Sequence, residues 1–87
     1  MNLPSLRKQI DRIDRRVLRL LSERATLALR IGRLKKTRKL PVFDGRREQV
    51  VLRQLARAHR GPLPTRAIRT IFSAILRASR TLELRKR

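Results

Sequence analysis

The chain has 87 residues, no cysteine and one histidine, so it forms a single small domain without disulfides, thiolate metal ligands or a histidine metal site. Its net charge of +19 would ordinarily point to nucleic acid, but with Phe43 and Phe72 as its only aromatics it lacks the stacking platforms of a single-strand binder. No apolar run approaches the roughly 20 residues of a membrane span, and the first eight residues hold no signal-peptide core, so a cytoplasmic protein without a membrane partner is expected.

Three periodic segments follow one another, with no strand, repeat or low-complexity linker between them. Helix 1 is expected over about 5–38, with Ser5 after Pro4 as N-cap. Its apolar stripe runs Leu6, Ile10, Ile13, Val17, Leu20/Leu21, Ala28 and Ile31 at three- and four-residue spacing. Gly32 costs it about 1 kcal/mol against alanine without stopping it. Lys39-Leu40-Pro41-Val42-Phe43 breaks the pattern. Asp44 then caps helix 2, over about 45–60, with Glu48 adding favourable charge near its N-terminus. Gly61-Pro62-Leu63-Pro64 ends it, and helix 3 spans about 65–84 on a stripe of Ile68, Ile71/Phe72, Ile75 and Leu82. The chain closes on the basic Arg85-Lys86-Arg87. All of 1–87 is read as one all-α domain.

The lengths of these helices are mismatched. Helix 1 would be about 50 Å long, whereas a compact monomer of this size has a radius of gyration of only about 12 Å. Helices 2 and 3 are too short to cover its whole stripe. An intertwined homodimer, in which long helices pair and each subunit completes the other's core, resolves the mismatch. A simple coiled coil does so less well, because cations interrupt the stripe.

Those cations carry the functional argument. Arg24 and Lys35 fall within the stripe of helix 1, and Arg7 lies beside it. Arg47 and Glu48 precede the apolar positions of helix 2, while Ser79 and Glu83 follow Ile75 on helix 3. Each has an ordinary reading: a snorkelling arginine, a cation at a helix C-terminus for Lys35, a first-turn acid for Glu48, a cap for Asp44, a hydroxyl bonded back to its helix for Ser79. Jointly they place four cations (Arg7, Arg24, Lys35, Arg47) against two carboxylates (Glu48, Glu83) on inward faces. Unpaired buried guanidinium groups are costly, so the excess calls for a dianionic ligand.

The order and spacing of several short elements together resemble the all-helical chorismate mutases, the three-helix, entwined-dimer bacterial type. They are Leu6-Arg7 with Ile10 and Ile13-Asp14, Leu20-Leu21-Ser22-Glu23-Arg24, Ile31-Gly32-Arg33-Leu34-Lys35, Pro41-Val42-Phe43-Asp44-Gly45-Arg46-Arg47-Glu48, and Ile71-Phe72 leading to Ser79. The resemblance covers nearly the whole chain, from Leu6 to about Glu83, and implies a free-standing isomerase of aromatic amino acid biosynthesis, in the shikimate pathway, that rearranges chorismate to prephenate without cofactor or metal. It further implies that Arg24 and Arg47 grip the substrate carboxylates, with Ser79 touching one and Arg7 arriving from the partner subunit. Lys35 and Glu83 would face the ether oxygen, Glu48 would accept from the substrate hydroxyl, and Asp44 would bond nearby. By this implication the catalytic set is Lys35, Glu83 and Arg24. Some members carry glutamine where this chain has Glu83. A glutamate donates only when protonated, so activity is expected to fall as pH rises through the ionisation of Glu83.

Two alternatives stand beside this reading: an isochorismate-pyruvate lyase on the same fold, and a basic helical nucleic-acid-binding protein. The arginine load, 20 against 5 lysines, exceeds what the resemblance calls for. It leaves room for docking to an acidic partner protein through the C-terminal tail.

Overall fold

Why the first helix starts and stops where it does follows from its ends. In a computed structural model, which describes residues 2–85, α1 spans Leu3–Thr37, α2 Gly45–Ala58 and α3 Thr65–Glu83. The N-cap of α1 is Asn2 and not the expected Ser5: the Asn2 side-chain oxygen accepts from the Ser5 amide at 2.9 Å. Pro4 thereby falls in the first turn, where its missing N–H has no helical partner to lose. At the other end, Leu40 N–H donates to the Lys35 carbonyl at 2.8 Å and Lys39 N–H to that of Lys36 at 3.2 Å, the paired bonds of a Schellman cap. The turn requires a left-handed residue, and Lys39 supplies it with φ of 56°. A side chain there costs about 1 kcal/mol relative to glycine.

Asp44 caps α2, accepting the Arg47 amide at 3.0 Å, with Glu48 in the first turn. This helix ends at Ala58, two residues short of the expected Arg60. Arg60 instead folds back, donating to the carbonyls of Arg57 at 2.7 Å and His59 at 3.1 Å. The N-cap of α3 is Pro64, which offers no side-chain cap.

The packing is open. α3 packs against both α1 and α2, while α1 and α2 do not pack on each other. The tightest approach is between Gly32 of α1 and the end of α3: a Cβ on Gly32 would lie 2.7 Å from both the Cα and the carbonyl oxygen of Glu83. The glycine that the sequence presents as a mere propensity cost is therefore the contact point of the two helices. Around it Ala28 and Leu76 are the buried apolar side chains. Leu76 lies one residue after the expected stripe position Ile75, and Ile71, expected inside, is 47% exposed.

Further up α1 nothing covers the stripe. Leu6, Ile10, Ile13, Val17, Leu20 and Leu21 are all exposed. The molecule measures 55 × 26 × 15 Å, with a radius of gyration of 16.0 Å. Its accessible surface is 7554 Å², against roughly 5,400 Å² for a compact monomer of this mass. Among the described residues there is no strand, and no helix is long and apolar enough to cross a membrane.

Candidate functional site

Because α3 separates α1 from α2, a cleft opens between them with α3 as its floor. It encloses about 300 Å³. The polar positions singled out in the sequence converge here: Arg24 and Lys35 from α1, Asp44, Arg47 and Glu48 from the start of α2, Ser79 and Glu83 from α3. Helical spacing explains the convergence. Arg24, Ala28 and Lys35 share one face of α1, and Leu76, Ser79 and Glu83 one face of α3. The Asp44 cap brings the first turn of α2, with its Arg47 and Glu48, to the mouth of the cleft. Leu27, Ile31, Val51 and Leu76 supply apolar wall.

Arg7 is not in this cleft. It lies on the uncovered N-terminal half of α1 and is exposed. Lys86 and Arg87 of the basic tail lie outside the described residues, and Arg85 is exposed.

Inside the cleft, Lys35 and Glu83 form an ion pair. Lys35 Nζ donates to Glu83 Oε1 at 2.7 Å and to the Val42 carbonyl at 2.7 Å, tying α1 both to α3 and to the connector before α2. Glu83 is buried at 8% exposure, and Lys35 satisfies one of its oxygens. Arg24 Nη1 donates to Ser79 Oγ, whose hydroxyl in turn donates to the Ile75 carbonyl at 3.0 Å. The Ser79 hydroxyl thus bonds back to its own helix and also bridges to α1.

The sequence reading missed Arg80. Its Nη1 donates to both oxygens of Glu48, at 2.6 Å and 2.5 Å, and it lines the same cleft. The signal was available: Leu76, Ser79, Arg80 and Glu83 stand at i, i+3, i+4 and i+7, a single helical face. A stripe centred on Ile75 takes in Ser79 and Glu83 but leaves out Arg80, which lies about 140° from Ile75 and only about 40° from Leu76.

With Arg80 included, the cleft holds four cations (Arg24, Lys35, Arg47, Arg80) against three carboxylates (Asp44, Glu48, Glu83). One oxygen of Asp44 is already engaged as a cap. The arrangement suits an anion carrying several separated oxygens, met by guanidinium groups beside an apolar wall. No group of three or more His, Cys, Asp or Glu residues is arranged to hold a metal among the described residues.

A family profile described as chorismate mutase type II matches residues 6–84. Among solved structures, chorismate mutase (form II) from Thermus thermophilus superposes with a TM-score of 0.93 at 44% identity, over 95% of this chain and 94% of that one. A second, a conserved hypothetical protein from Pyrococcus furiosus, gives a TM-score of 0.78 at 36% identity, over 92% of each chain. A bifunctional chorismate mutase/prephenate dehydratase of Aquifex aeolicus is 41% identical over 85 residues, 93% of this chain, and this chain spans only 24% of that relative's length.

Proposed function

The chain belongs to the type II chorismate mutase family, and from that membership and the cleft's chemistry we propose that it converts chorismate to prephenate. The reaction is an intramolecular rearrangement in which the ether C–O bond breaks as a C–C bond forms, with no proton or electron exchanged with the protein. The site's task is then to hold a flexible dianion in its reactive conformer and to meet the charge that grows on the ether oxygen. The observation that carries the reading is that Arg24, Arg47, Lys35, Glu48, Ser79 and Glu83, drawn from all three helices, line one cleft.

In this reading Arg24 and Arg47 clamp the carboxylates, assisted by Ser79, and Glu48 accepts from the substrate hydroxyl, with Asp44 beside it. Clamps bind ground and transition states nearly alike, so the discriminating share falls to Lys35 and Glu83 at the ether oxygen. Lys35 donates in either state. Glu83, which accepts from Lys35 at 2.7 Å, must be protonated to donate as well.

A homodimer completes the proposal. The uncovered stripe of α1, from Leu6 to Leu21, and a surface roughly 2,000 Å² larger than that of a compact monomer supply more area than the ~800 Å² per partner of a standard interface. Arg7 stands on that stripe's flank, where a second chain would carry it toward its neighbour's cleft.

Chorismate consumption with identified product tests the activity, with Arg47→Ala in parallel. Prephenate is expected, with kcat/KM lowered at least ~100-fold by the substitution, since removing one partner of a charged contact costs about 3 kcal/mol. Salicylate plus pyruvate as products, or no turnover by the folded protein, overturns the reading. Glu83 has its own test: Glu83→Gln, whose amide can donate to an ether oxygen, should keep kcat/KM within about threefold of the native enzyme, while Glu83→Ala should lower it at least ~10-fold. A kinetically neutral Glu83→Ala removes Glu83 from the ether oxygen.

A further inference from the structure

Glu48 poses a problem for any dianion-binding site, because it adds a negative charge where two more must enter. The structure answers with Arg80, which grips both Glu48 oxygens at 2.6 and 2.5 Å. Arg80 is also held by an aromatic ring: its guanidinium carbon lies 5.2 Å from the centre of the Phe43 ring, within cation–π range. Phe43 has no core to fill, being 61% exposed, yet its ring has a seat. A Cβ on Gly45, the first residue of α2, would meet ring carbons of Phe43 at 3.1 and 3.3 Å. Gly45, Phe43, Arg80 and Glu48 thus form a stack from the connector, across α3, back to α2.

We propose that Arg80 is a positioning residue of the mutase site: clamped between the Phe43 ring and the Glu48 carboxylate, it fixes that carboxylate at the cleft wall and cancels its charge so that a dianion can bind beside it. The inference rests on the reading of Glu48 as the acceptor of the substrate hydroxyl, and it gives that acceptor a means of staying in place. Arginine suits the position because one terminal nitrogen bonds both oxygens of the carboxylate while the planar guanidinium faces a ring. A lysine in its place keeps the charge and loses the planar face.

Steady-state kinetics of Arg80→Gln and Arg80→Lys, each with Glu48 intact and with Glu48→Gln, test the proposal. With Glu48 intact, Arg80→Gln should raise KM about tenfold while kcat changes less than about threefold, the signature of an uncompensated charge opposing ligand entry. Arg80→Lys should recover most of that loss. In the Glu48→Gln background the carboxylate is gone, and Arg80→Gln should change KM by less than about twofold, a coupling that a purely structural role would not produce. An equal KM increase in both backgrounds, or none in the first, overturns the proposal. Should Arg80→Gln fail to fold, Phe43→Leu keeps every charge and removes only the stacking. It is expected to raise KM about two- to threefold with Glu48 intact and not at all with Glu48→Gln, and no change in the first overturns the clamp. Failure of the underlying reading looks different: Glu48→Gln alone would then leave both kcat and KM unchanged, whatever Arg80 does.

Discussion

The two halves of α1 carry the same apolar periodicity and meet different fates. From Arg24 to Lys35 the helix lies against α3, with Ala28 and Gly32 buried and the polar side chains paired across the cleft. From Leu6 to Leu21 every apolar side chain is exposed, Ile10 at 56% and Ile13 at 54%. Periodicity records that a face is meant to be covered. What covers it depends on where the rest of the chain can reach, and α2 and α3 reach only the C-terminal half.

The sharpest way to break the comparison is to charge the uncovered half. If the proposed homodimer covers it, Ile13→Asp should leave only monomer and lower kcat/KM by more than ~100-fold, because it would place an unpaired carboxylate in each copy of that interface, a loss of several kcal/mol. Sedimentation velocity and activity read it together. If α1 worked uncovered, the same substitution at a half-exposed position would cost no more than ~0.5 kcal/mol. The covered half breaks by the opposite kind of change. Gly32→Val must push α1 away from the backbone of Glu83, and a loss of about 1–3 kcal/mol in thermal stability is expected, with the Lys35–Glu83 pair disrupted and kcat reduced. A gain in stability would mean that the helices part freely. The smallest effect concerns the cap that ends α1. Lys39→Gly should stabilise the fold by about 0.5–1 kcal/mol in denaturant titrations, since glycine adopts the left-handed turn without strain.

Much of the architecture is legible in the sequence because it rests on strong local signals. Three helices, the proline-rich breaks between them and the Asp44 cap follow from spacing and turn chemistry alone. So does most of the cleft, since Arg24, Lys35, Glu48 and Glu83 are conspicuous on otherwise apolar faces. The illegible parts depend on tertiary approach. Gly32 reads as a weak point until α3 is seen resting on it. Arg80 reads as one more surface arginine among 20 until Glu48 is placed opposite. A one-residue ambiguity between Ile75 and Leu76 is enough to rotate the face on which Arg80 belongs, because a single step turns a helix by about 100°.

Lys35 has a further consequence when its protons are counted individually. An ammonium group has three, and here one goes to the Val42 carbonyl and one to Glu83. The third is what an incoming ligand oxygen can take while the protein stays as it is. Any ligand that draws a second proton must free it from α3 or from the connector that starts α2. The valence of one nitrogen therefore limits Lys35 to a single ligand atom in the undisturbed site, and Lys35→Ala would remove a structural tie between three elements along with that contact.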